Sequence, residues 1–276
     1  MVRNPDNCRS LPRVHGRGML PTFEITNLHC VLTHNATAKH LRFDANKPAP
    51  ILISDGEKGG IGKSHLERLL AYLMSAHSVQ WQGFDLDPRN SHLARFHPKV
   101  DVRRLDWNDA AAWEDLYHGI MQVDKTKAVL IDLPAQCGPV VKNEYPRLLR
   151  TANHIGRTVL RFWTLTHEFD SVNLLAQSMS AIDCANTFAV LNLRNANRGD
   201  FHLWDSSRTR EALLGAGGTE LSMPRLPPAV ANKIEAENLS FFDAASSLSE
   251  PWLQFDIEAY LSLVEAEFAA VIARLA

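Results

Sequence analysis

The chain has few cysteines, no long apolar run and almost no net charge, and each shortage removes a class of protein. Its four cysteines, Cys8, Cys30, Cys137 and Cys184, form no Cys-x-x-Cys pair, which fits free thiols in a reducing compartment better than a disulfide-built secreted domain. No apolar stretch approaches the roughly eighteen residues that span a bilayer. The start of the chain also lacks the apolar segment of a secretion signal. A cytoplasmic location is therefore expected. The formal net charge is only −2, so any attraction to a polyanion has to come from a local patch. His29, Cys30, His34 and His40 fit no familiar zinc spacing and read as loop residues.

What is present suffices for one large α/β domain: 276 residues, 45% apolar and 22% charged, can bury a full core. The most informative stretch runs from Pro50 to Ser64. A short apolar run, Ile51 to Ile53, empties into Lys58-Gly-Gly-Ile-Gly-Lys63-Ser64, and a helical pattern with Leu66, Leu69, Leu70 and Leu73 on one face follows at once. Gly59, Gly60 and Gly62 let backbone N–H groups turn inward onto an anion, and the helix aims its positive end at the same point. Lys63 can then neutralise phosphate charge and the Ser64 hydroxyl can ligate Mg²⁺. The general phosphate-loop pattern would place glycine where this chain has Glu57, but the variant Lys-Gly-Gly-x-Gly-Lys-Ser is matched in full.

That variant, headed by Lys58, resembles the deviant Walker A motif of the ParA/MinD family of dimerising ATPases. The resemblance implies a three-layer P-loop NTPase fold, with a mostly parallel central sheet flanked by helices. It implies ATP contacts from Lys58, Gly59, Gly60, Ile61, Gly62, Lys63, Ser64 and His65, and an ATP-bound homodimer in which Lys58 reaches the nucleotide of the partner subunit. Asp85-Leu-Asp87-Pro closes the strand pattern that starts at Val79 and resembles the family's second motif, twenty-four residues beyond Lys63. On that resemblance Asp87 orients or activates the attacking water and Asp85 supports Mg²⁺. Taken alone, Asp-Pro is equally a turn. Lys127 to Asp132 is an apolar run that delivers a carboxylate to the edge of a parallel sheet. It resembles Walker B, which implies Asp132 as the companion of Ser64 around Mg²⁺, directly or through water, with Gln136 and Gly138 in the segment that senses the γ-phosphate.

The resemblance extends less sharply to the second half. Phe188 to Arg194 and Ser222 to Val230 are similar to later strand ends that border adenine, implying Asn192, Pro224 and Arg225 as base neighbours. Turn-forming asparagine and proline explain both segments equally well. Val100 to Trp107 reads as a short strand before a helix capped by Asn108, an arrangement similar to ParA-like proteins of conjugal-transfer and mobilisation operons. Cys137, close after Asp132, resembles the nitrogenase iron-protein branch. An iron–sulfur cluster would need a second thiolate, and none occurs between Cys30 and Cys137.

Two units are expected: residues 50–276 as the ATPase domain and residues 1–49 as a basic, loosely structured extension. In the latter Arg3, Arg9, Arg13, Arg17, Lys39, Arg42 and Lys47 outnumber Asp6, Glu24 and Asp44. It reads as an arm for nucleic acid or a partner, as a lead-in, or as sequence upstream of a start at Met19, and Phe23–Leu32 could add an edge strand. The final helix, around Asp256 to Leu275, keeps Leu261, Val264, Phe268 and Val271 on one stripe that suits packing. Its Glu258, Glu265 and Glu267 face only Arg274, which argues against an anionic membrane. Arg147, Arg150, Arg157, Arg161, Arg194, Arg198, Arg208 and Arg210 form a non-specific DNA patch or are scattered solvated charges. The resemblance implies a slow ATPase switch in plasmid or DNA segregation, positioning or conjugal mobilisation, stimulated by a centromere-binding or relaxosome-type protein. Its alternatives are a P-loop ligase of the dethiobiotin synthetase type and a non-hydrolysing nucleotide-dependent scaffold.

Overall fold

A computed structural model describes residues 47–88, 90–135, 137–179 and 183–275. The expectations placed on residues 1–46, including the basic arm, the Met19 start, the edge strand and the histidine-rich stretch, lie outside the described residues. Among the described residues seven strands form: β1 (Ile51–Asp55), β2 (Trp81–Asp85), β3 (Val102–Arg104), β4 (Ala128–Asp132), β5 (Val159–Leu165), β6 (Thr187–Asn192) and β7 (Thr219–Met223), of which β1, β2, β4, β5 and β6 are buried throughout and the edge strands β3 and β7 are not. They make one sheet in the order β3-β2-β4-β1-β5-β6-β7. Every pairing is parallel, so the sheet expected to be mostly parallel is wholly so.

Parallel strands need crossovers, and helices supply them on both faces. α1 (Lys63–Ala76), α2 (His92–Phe96), α3 (Ala110–Gln122) and α4 (Gly138–His154) link the first five strands. α5 (Phe169–Ser178), α6 (His202–Asp205) and α7 (Arg208–Gly215) follow, and α8 (Pro228–Glu237), α9 (Phe241–Ser247), α10 (Pro251–Glu267) and α11 (Ala269–Leu275) close the domain. The period-2 alternation of β1 shows how the layers divide. Leu52 joins the core made with α1 and α8 to α11, whereas Ile51 and Ile53 join the core made with α3 and α4. A third cluster around Trp163, Leu191, Phe201 and Trp204 packs α5 to α7. The four leucines predicted on the inner face of α1 are completely buried.

Three local expectations are corrected. The cap of α3 is Asp109, whose side chain accepts from the Ala111 N–H, while Asn108 instead donates to Asp106. The final helix is two, because α10 ends at Glu267 and Phe268 is its cap. Two of the eight arginines read as a DNA patch or as scattered solvated charges are neither. Arg157 and Arg161 are buried, and Arg157 donates to the carbonyls of Ala49, Lys127, Val123 and Asp124. Arg147, Arg198 and Arg210 are ion-paired with Glu114, Asp205 and Glu220. No described helix is long and apolar enough to cross a membrane.

Candidate functional site

β1 occupies the middle of the sheet, between β4 and β5, at the kind of switch point where open parallel sheets bind ligands beyond their carboxyl ends. There the chain turns through residues 56–62 into α1. Gly62 has φ of +100°, and a Cβ on it would collide with the Asn192 side-chain amide. Gly56, at φ +145°, would set a Cβ 2.5 Å from Ile61 Cδ1. Gly60 also has positive φ, whereas Gly59 does not and faces open space. Positive φ thus constrains Gly56, Gly60 and Gly62 in this loop. Glu57, at the position where a general phosphate loop has glycine, fills space beside Gly138, which a side chain there would take. α1 starts with no side-chain cap and no acid in its first turn, so its first N–H groups are left for an anion.

The two lysines of the loop are held apart. Lys63 is buried (8% exposed) and its Nζ donates to the Lys58 carbonyl at 3.2 Å. Burial pulls its pKa down, against the pull of Asp132 and Asp55. Lys58 lies outside, 40% exposed, in an ion pair with Glu168 at the start of α5. That hydrogen bond raises the pKa of Lys58 and lowers that of Glu168.

Acids converge on the same edge. Asp85 and Asp132 are direct register partners on β2 and β4, and both are buried. Burial pushes Asp85 up to about 6 and Asp132 up to about 7, with the neighbouring Asp85 adding to the second and Glu67 and Lys63 opposing it. Glu67, fully buried on α1, is raised by burial and by contact with Asp132. The sequence reading missed it, although it lies four residues after Lys63 and therefore on the same side of the helix. Asp85 Oδ2 is buried without a partner, and its Oδ1 accepts from the Asp87 N–H. Asp87 accepts in turn from the Asn90 N–H. No cluster of three His, Cys, Asp or Glu side chains able to hold a metal occurs among the described residues.

A cavity of about 520 Å³ opens over these groups, lined by Gly59, Gly60, Gly62, Lys63, Ser64, His65, Asp87, Asp132, Asn192, Arg194 and Pro224 among others. Lys58, Ile61, Asp85 and Arg225 are not part of that lining. Asn192 donates through Nδ2 to the Ile61 carbonyl at 2.7 Å and accepts from the Arg194 N–H at 2.9 Å, so it braces the loop. Arg225 is exposed and donates to the Arg194 carbonyl. The ring of His65 hydrogen-bonds to Tyr260 Oη at 2.7 Å. Arg68 and Glu235, ion-paired at 2.6 Å, bound the far wall. Gln136 lies outside the described residues.

No family model matches the chain. It is 22% identical over 199 residues to Protein MobD of Acidithiobacillus ferrooxidans, covering 72% of this chain and 87% of that one. Among solved structures, it is similar to a candidate plasmid partition protein of Borrelia burgdorferi bound to AMPPNP (TM-score 0.49, 16% identity, 80% of this chain and 99% of that one). It is also similar to the signal recognition particle receptor FtsY of Elizabethkingia anophelis in complex with GDP (TM-score 0.44, 16% identity). That match covers 60% of this chain and 56% of FtsY, so the chain spans little more than half of that relative.

Proposed function

We propose that this chain, whose fold and phosphate loop are of the ParA/MinD P-loop ATPase type, is an ATP-dependent dimerising switch. It acts in DNA segregation, positioning or conjugal mobilisation, and hydrolyses ATP slowly until a centromere-binding or relaxosome-type protein stimulates it. The observation that carries this reading is the separation of the two loop lysines. Lys63 is enclosed in its own cradle, whereas Lys58 stands outside it on Glu168 and is available to a second subunit. The similarity to MobD supports the mobilisation branch.

The positions of the residues support the chemistry proposed for them. The N–H groups at the start of α1 and the Lys63 ammonium hold the phosphate chain. Asn192, by fixing Ile61, keeps the loop in its binding shape. Asp87, on the cavity wall, orients the attacking water. Ser64, Asp132 and Asp85 would hold Mg²⁺, partly through water, and the unpartnered Asp85 oxygen fits a cation there. With few protein ligands, phosphate oxygens and water complete such a shell. Bound Mg²⁺ supplies charge neutralisation at the phosphate oxygens. Loss of the terminal phosphate removes the contacts that hold the dimer, so hydrolysis acts as a timer.

Two variants separate the lysines. Lys63→Ala is expected to weaken ATP binding about ten- to a hundredfold, from about 1.5–3 kcal/mol for a charge-assisted contact. Lys58→Ala is expected to bind ATP within about twofold of the parent, on the same free-energy scale, yet to remain monomeric and lose hydrolysis. Calorimetric titration with sedimentation reads both. A Lys58→Ala protein that dimerises with ATP and hydrolyses it normally would refute the trans-acting lysine.

A further inference from the structure

α10 has two apolar faces where a helix packed on a sheet requires one. Leu253, Ile257, Tyr260, Leu261 and Val264 are buried. Opposite them, Trp252, Phe255 and Leu263 are 64%, 68% and 58% exposed, and Ala259 and Ala266 are exposed with them. Positions 252, 255, 259, 263 and 266 step by three or four residues, which keeps them on one stripe of a 3.6-residue helix. Rings of the size of Trp252 and Phe255, about 150–250 Å² each, are costly to hold in water. Gathered on one stripe they mark an interaction surface rather than scattered apolar residues.

We propose that this stripe is a docking surface for a basic amphipathic helix of a partner protein. The choice of occupant follows from charge. α10 carries Asp256, Glu258, Glu265 and Glu267 and neither lysine nor arginine. Asp256 and Glu267 are exposed, while Glu258 and Glu265 accept from Gln254 and Tyr72. A second copy of α10 would set carboxylate against carboxylate, and an anionic bilayer would be repelled. A helix whose apolar seam is flanked by lysine or arginine matches both the stripe and its border. From Trp252 to Ala266 the stripe runs about 21 Å at 1.5 Å per residue, the length of about four turns of a partner helix. On the buried side of α10, Tyr260 bonds to His65, next to Ser64, so the docked helix lies one helix away from the phosphate loop. The docking does not depend on the ATPase reading, and its test uses no nucleotide.

The test uses the full chain and a four-turn peptide of alternating leucine and lysine at amphipathic spacing. A peptide with glutamate in place of lysine and vesicles of phosphatidylglycerol serve as controls. The lysine peptide is expected to bind. Trp252→Ser/Phe255→Ser should weaken it at least about tenfold, a loss of about 1.4 kcal/mol, and Asp256→Asn/Glu267→Gln should weaken it at low salt only. The glutamate peptide should not bind. Matching circular dichroism of the variants shows that the fold is kept. No binding of the lysine peptide, equal binding of both peptides, or indifference to the aromatic variant would overturn the proposal. Vesicle binding lost in that variant would reassign the stripe to a membrane, and a nucleotide-free dimer dissociated by it would reassign the stripe to a second copy.

Discussion

Replacing Gly62 by alanine probes the geometry of the loop between β1 and α1. At φ +100° an L-residue is strained, at a cost of about 1–2 kcal/mol. The new methyl would also collide with Asn192 Nδ2 and displace the amide that donates to the Ile61 carbonyl. Breaking that buried hydrogen bond adds about 1–3 kcal/mol, so the total is about 2–5 kcal/mol. Urea unfolding of Gly62→Ala, Asn192→Ala and the double variant separates the two terms. The amide can be lost only once, so the double variant should be about 1–3 kcal/mol more stable than the sum of the singles predicts. Gly59→Ala is the control: with ordinary φ and open space it should stay within about 1 kcal/mol of the parent. Equal costs at 59 and 62, or strict additivity with Asn192→Ala, would show that neither the φ of Gly62 nor its contact with Asn192 constrains the loop.

Arg161→Met would strand Asp55, since the two form an ion pair in which each side chain is only 5% exposed. An expected loss of about 3–5 kcal/mol would show as a lower urea midpoint, with most of it recovered when Asp55 is also made apolar; a loss under about 1 kcal/mol, the range of a surface pair, would contradict the burial. Glu67→Gln tests the buried acids by pH. The carboxyl of Glu67 titrates well above its ordinary range in the fold, so folding retains a proton that the unfolded chain releases as pH rises above about 4.3. The parent therefore pays an increasing penalty between that pH and the raised folded pKa, which a neutral glutamine escapes. The variant should gain on the parent between pH 4.5 and pH 8 in thermal unfolding without nucleotide, and a gap independent of pH would refute the assignment.

Much of the sheet and its site was legible because parallel strands buried on both faces read as short apolar runs, and several ended in a visible polar marker: Asp85, Asp132 and Asn192. β5 was not, because Arg161 interrupts its apolar run. That charge is tolerated by pairing with Asp55 and by stacking over the Tyr145 and Trp163 rings, 4.7 and 4.9 Å away, none of which is a neighbour in sequence space except Trp163. The same blindness made Arg157 look like a surface charge, when four backbone carbonyls consume its guanidinium. Glu67 was hidden because a glutamate on a helix is ordinarily solvated, and only the turn of α1 aims it at Asp132. Glu168 was hidden because its partner, Lys58, is 110 residues away. The motif marked the loop, but the crowding of Gly56 and Gly62 depends on Ile61, Thr164 and Asn192 packing around them.

In the proposed switch ATP joins two subunits and hydrolysis parts them. Light scattering of the purified chain with ADP, with ATP, and with ATP on the Asp87→Ala variant reads both steps. The expected result is monomer mass with ADP, doubled mass with ATP, and a doubled mass that persists in the variant. A mass that is the same with ADP and with ATP, in the parent and in the variant alike, would contradict it.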